Sequence, residues 1–143
     1  MKPHITKIDL ELPEGIVAHL DSICEFKRSG VVADDGLFES NADMRQSNVS
    51  FFPDDDWVAQ WCYKQVMQVN ADIFQLDLYG YDNNCVQYST YDEGDFYTWH
   101  IDTLDREIDR KLSFSLILND EFIGGEFQFG KYHFSTEHGL LTD

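Results

Sequence analysis

Tyr88-Ser-Thr-Tyr91-Asp-Glu-Gly94-Asp-Phe-Tyr97-Thr-Trp99-His100-Ile101-Asp102 forms the centre of this 143-residue chain. Arg110-Lys-Leu-Ser113-Phe-Ser115-Leu-Ile117-Leu-Asn119 and Gly124-Gly125-Glu126-Phe-Gln128-Phe129 follow it. The patterning predicts strands over 85–91, 97–102, 112–118 and 126–130, with 103–110 and 119–125 as connections. Successive strand side chains point to opposite faces. A strand over 97–102 therefore puts His100 and Asp102 on one face and Trp99 and Ile101 on the other. An imidazole and a carboxylate two residues apart on one face present two metal ligands side by side. A bare H-x-D is common by chance, as a surface histidine and aspartate of an acidic protein, so its meaning depends on its surroundings.

Ahead of this stretch the pattern is helical. A loosely alternating segment over 1–12 predicts a first strand ending at Pro13. Ile16, Val17, Leu20, Ile23, Cys24 and Phe26 predict a helix over 14–26, stopped by Ser29-Gly30. The turn formers between Val31 and Met44 predict a loop. Arg45 to Phe52 reads as a short strand. Pro53-Asp-Asp-Asp56 offers carboxylates for an N-cap, and Trp57 to Phe74 reads as the main helix. Asp77 to Tyr81 is extended or a turn, and 131–143 has the composition to begin another strand. Helices followed by closely spaced strands predict an α+β domain over 1–143. Its helical part covers about 1–76, and a jelly roll, or double-stranded β-helix, covers about 77–143.

Composition bounds the partners. Ten basic side chains face 27 acidic ones, a net charge of −17. Such a field repels phosphate backbones and anionic lipid, which argues against nucleic acid and membrane and favours a basic or neutral polypeptide, or a small molecule. Cys24, Cys62 and Cys85 are an odd set without metal-type spacing, read as reduced thiols. No apolar run reaches the length of a membrane span, and Met-Lys-Pro-His opens the chain without a signal-type apolar region. A cytoplasmic protein is expected.

Taken together, Tyr91-x-x-Gly94-x-x-Tyr97-x-x-His100-x-Asp102, the pair Arg110-Lys111, Leu118-Asn119 and Gly124-Gly125-Glu126 resemble the Fe(II)- and 2-oxoglutarate-dependent dioxygenases of the prolyl 4-hydroxylase type. The resemblance is clear from about Gln87 to Phe129 and faint back to Trp57. In such enzymes two histidines and one carboxylate occupy one face of the iron, with open positions opposite. The resemblance implies Fe(II) held by His100 and Asp102, 2-oxoglutarate as cosubstrate and ascorbate as an optional reductant. The implied reaction couples 2-oxoglutarate decarboxylation to hydroxylation of an unactivated C–H, on a peptidyl residue such as proline. Tyr91 is the implied cosubstrate-side tyrosine; its alternative is a buried aromatic with a satisfied hydroxyl. Ser113 and Ser115 are implied cosubstrate contacts, with Ile117 on their face as packing and Gln87 within reach. Gly124-Gly125 suits a tight turn.

The family's second ligand histidine, and the arginine or lysine that binds the cosubstrate carboxylate, lie on strands later than Asp143. The expectation is thus a jelly roll incomplete at its C-terminus, with an open sheet edge suited to homodimer formation. His133 and His138 are weak candidates for the missing ligand. A truncated, inactive jelly-roll domain acting as a binding module is the alternative, and an unrelated jelly-roll binding protein with an incidental H-x-D is a third.

Overall fold

Pro13 and Gly15 start the first helix. Gly15 takes a left-handed conformation (φ 74°), which glycine adopts without the steric cost other residues meet, and α1 runs Ile16–Ile23. Ile16 and Leu20, one turn apart, are its buried side chains. The helix ends when Cys24 turns extended, its N–H still donating to Leu20 O at 3.0 Å. It is shorter at both ends than the predicted 14–26. The second helix, α2 (Trp57–Val69), is capped by Asp56, whose Oδ1 accepts the Val58 N–H at 2.9 Å. A π-helical turn, Asn70–Phe74, continues it. There the buried Asn70 amide bonds both backbone groups of Leu76, donating to O at 2.8 Å and accepting from N at 2.9 Å. The predicted helix 57–74 is thus one α-helix closed by a wider turn.

The computed structural model describes residues 5–28, 31–32, 38–39, 43–100, 102, 110–128, 133–135 and 140–142. Strands β1 (Lys27–Arg28), β2 (Val31–Val32), β3 (Phe38–Glu39), β4 (Arg45–Gln46), β5 (Asn48–Pro53), β6 (Cys85–Thr90), β7 (Phe96–Tyr97), β8 (His133–Ser135) and β9 (Leu140–Thr142) are all paired antiparallel. The main sheet has the order β1-β5-β6, and β2–β3, β4–β7 and β8–β9 are two-stranded. The architecture is mixed helix and antiparallel sheet, as the sequence predicts for the α+β class. Among the described residues the ladders close no barrel.

Register decides the two faces of the main sheet. Ser50 opposes Tyr88 and Phe52 opposes Val86, and directly opposed residues share a face. That face meets the helices: Phe52 and Tyr88 join Ile16, Leu20, Val58, Ala59 and Cys62 in one core cluster. Each fully buried Val, Leu, Ile or Phe contributes roughly 1.5–3 kcal/mol. Tyr88 satisfies its hydroxyl by donating to Asp21 Oδ1 on α1 at 2.8 Å. On the opposite face Val49 opposes Ser89 and Phe51 opposes Gln87. Arg45, Ser47 and Val49 are buried while Phe51 is half exposed, so this second face is covered toward its β4 end and open beyond.

Several predicted elements are corrected. Residues 5–12 form no strand, and the predicted loop from Val31 to Met44 contains the β2–β3 pair. The predicted strand 97–102 is reduced to β7. After Tyr97 the Thr98 N–H and hydroxyl both go to Met44 O, and its carbonyl is taken by the His100 side chain, so no ladder continues. Residues 112–118 are not a strand, although Leu112, Leu116 and Leu118 are half-buried between exposed neighbours and the last two pack on the core. Residues 126–128 form no strand either, and 129–130 lie outside the described residues. No described helix is long and apolar enough to cross a membrane.

Candidate metal-binding site

Strand β4 pairs with β7 in a register that sets Arg45 opposite Tyr97. Arg45 is only 4% exposed, and a buried guanidinium needs hydrogen-bond acceptors. Its Nε donates to Ser47 Oγ at 2.8 Å, and one terminal nitrogen donates to Ser89 Oγ at 3.0 Å. Its Cζ lies 4.5 Å from the centre of the Tyr97 ring. The same ring stacks on the His100 imidazole, with centroids 3.6 Å apart and planes 9° from parallel.

His100 Nδ1 is 2.8 Å from Thr98 O. A carbonyl only accepts, so Nδ1 carries the proton. Nε2 lies 3.1 Å from Asp102 Oδ1, close but without the alignment of a hydrogen bond. A ring nitrogen and a carboxylate oxygen this close are stabilised by a cation shared between them. That cation is either a proton, giving a simple ion pair, or a metal ion. Ligands at 2.0–2.2 Å and a right angle around a first-row ion stand about 3 Å apart, so the observed separation fits two neighbouring ligands. The histidine and aspartate side chains are 29% and 52% exposed, which leaves the pair accessible.

Arg110 ties the aspartate down. One terminal nitrogen donates to the Asp102 carbonyl at 2.5 Å, and the other pairs with the Asp82 carboxylate. Burial pushes the Tyr97 phenol above its ordinary range, opposed by Arg45 and Arg110 and reinforced by Asp102 and Tyr91.

The sequence-predicted residues divide in two. His100 and Asp102 are brought together, although neither lies on a strand. Tyr91 stands 48% exposed just beyond β6. Ser113 and Ser115 are exposed on a separate segment, and among the described residues no hydrogen bond or ion pair links either to His100 or Asp102. Among the described residues no group of three His, Cys, Asp or Glu side chains is placed to hold a metal, so the described donors number two. The His133 side chain and all of His138 lie outside the described residues. Sequence reasoning left Arg45, Ser89 and the Thr98 carbonyl without roles. A lone arginine at the start of a strand was the one available signal, and nothing in the sequence joins it to His100, 55 positions later.

Compared with known proteins, the chain matches no protein-family model, no curated protein and no solved structure.

Proposed function

We propose that the chain is a domain of the Fe(II)- and 2-oxoglutarate-dependent dioxygenase type, in which His100 and Asp102 are two ligands of a divalent ion. The observation that carries the reading is the close pair: Nδ1 held by Thr98 O at 2.8 Å and Nε2 3.1 Å from Asp102 Oδ1. The pattern from Tyr91 to Glu126 supports it, and so does the mixed helical and antiparallel architecture, which a jelly roll would share. When bound, the iron with 2-oxoglutarate supplies the oxidising chemistry for an unactivated C–H, on a substrate such as a peptidyl proline. The chain's own residues hold and orient. Thr98 fixes the imidazole tautomer, Asp102 supplies negative charge that favours a divalent cation, and Arg110 anchors the backbone that carries it. Tyr91, Ser113 and Ser115 are the proposed cosubstrate contacts.

The presence of two described donors, not three, favours a second reading: a metal- or peptide-binding domain without turnover. Anaerobic titration with Fe(II) or Co(II), followed by release of labelled CO₂ from 2-oxoglutarate, tests both. One ion bound per chain and lost in His100→Ala and Asp102→Ala supports the site, and CO₂ release supports the dioxygenase. Binding without release leaves the binding domain. No binding by the parent chain removes the metal site and leaves a histidine–aspartate ion pair.

A further inference from the structure

We infer that Arg45 is a positioning residue for His100, acting through Tyr97. Its value for function rests on the metal-site reading above, but the geometry stands by itself. An imidazole has two orientations to set: the direction of its nitrogens within the ring plane and the plane itself. The Thr98 carbonyl sets the first, through Nδ1 at 2.8 Å. The second is set by the Tyr97 ring, parallel to the imidazole within 9° at 3.6 Å.

Tyr97 in turn needs a fixed plane, and Arg45 provides it. The guanidinium lies over the tyrosine ring with Cζ at 4.5 Å, an arrangement favoured by the ring's negative face. The guanidinium is itself held in place by Ser47 Oγ at 2.8 Å and Ser89 Oγ at 3.0 Å, one hydroxyl before β5 and one on β6. Ser47 is fully buried and Arg45 nearly so, so this end of the stack belongs to the covered face of the main sheet. The imidazole end is exposed. The stack therefore transmits the rigidity of the β5–β6 ladder to a side chain beyond the end of β7. Groups that orient a metal-binding histidine commonly change affinity by about 10–100-fold when removed.

The test uses two readouts on the full chain. NMR without added metal records the ring-proton shifts of His100, which a parallel aromatic neighbour displaces. Co(II) titration records affinity. Tyr97→Phe keeps the ring and is expected to preserve both. Tyr97→Leu is expected to move the His100 resonances toward unstacked values and to weaken Co(II) binding about 10–100-fold. Arg45→Met is expected to do the same in smaller measure, and Arg45→Lys, which keeps charge without a planar face, to fall between. A folded Arg45→Met or Arg45→Lys protein with parent-like His100 shifts and affinity overturns the inference. So does a Tyr97→Leu protein with parent-like shifts, which also decides the matter if the Arg45 variants fail to fold. Should the parent bind no Co(II), the metal reading fails, while the NMR comparison still decides the positioning role.

Discussion

The imidazole of His19, on α1, reaches the carboxylate of Asp56 that caps α2, with Nε2 and Oδ2 2.7 Å apart. The same carboxylate accepts the Val58 N–H through Oδ1, so one side chain both caps a helix and joins two helices. Asp56→Ala removes both interactions. An N-cap alone is worth about 0.5–2 kcal/mol, and the orphaned imidazole adds to that loss. Asp56→Asn keeps an oxygen for the cap and gives up the charge. Urea denaturation is expected to place the asparagine variant between the parent and the alanine variant. Equal losses for the two would assign the whole effect to the histidine contact.

A second prediction concerns alkaline pH. Burial pushes the Cys62 thiol up to about 11 from 9.0 and, with the Asp21 hydrogen bond, the Tyr88 phenol up to about 12 from 10.0. Both groups are charged when deprotonated, and the unfolded chain releases these protons first. Their contribution is therefore fully present below about pH 9 and is lost as pH rises through 9–12. Thermal melts between pH 8 and 11 are expected to show a plateau and then a falling Tm. Cys62→Ala is expected to flatten the early part of the fall, whatever it does to the plateau.

Arg110 offers a way to separate site from stability. It joins the Asp102 carbonyl to the Asp82 carboxylate on the surface of the protein, and exposed substitutions away from special features usually change stability by less than about 0.5 kcal/mol. On the metal reading, Arg110→Ala is expected to weaken Co(II) binding while leaving the urea midpoint close to the parent's. A large fall in the midpoint with unchanged affinity would make the arginine a fold-holding group.

Gly124 and Gly125 have φ values of 85° and 66°, so each is expected to resist alanine by about 1–2 kcal/mol. They differ in surroundings. A Cβ on Gly124 meets open space, whereas one on Gly125 lies 3.1 Å from the Phe122 ring. Gly125→Ala is expected to cost more in urea denaturation, and the difference between the two variants isolates the Phe122 contact. Phe122→Ala in the Gly125→Ala background is expected to remove that difference.

Much of the helical half could be read from side-chain spacing, because a helix satisfies its backbone within itself. Ile16 and Leu20 mark the buried stripe of α1, and Asp56 marks the start of α2. Strand β6 was legible for the same local reason: Val86 and Tyr88 alternate inward. Residues 112–118 show the limit of such reasoning. Their alternation is real, but the face expected to line the pocket, Ser113, Ser115 and Ile117, is the exposed one, with Ile117 56% exposed, while Leu116 and Leu118 pack on the core; a period of two selects a face and not a hydrogen-bonding partner. At the candidate site, the pairing of His100 with Asp102 was anticipated for the wrong geometric reason. The contact arises because Thr98 gives its carbonyl to an imidazole in place of a neighbouring strand. Arg45 carries no sequence signal because its part in the site depends on a β4–β7 pairing that no local pattern encodes.

That pairing is two residues long on each strand, and the Thr98 N–H donates to Met44 O at 2.8 Å just beyond it. Short ladders open locally at far less free energy than a whole domain. Opening of β7 and the His100 segment away from a β4 that stays in place is therefore expected at lower free energy than unfolding of α1, α2, β5 and β6. Amide hydrogen exchange at Thr98 would report each such opening, and any ion or ligand that binds only the closed arrangement must slow that exchange in proportion to its occupancy. The site's assembly becomes an equilibrium that a single backbone proton can count.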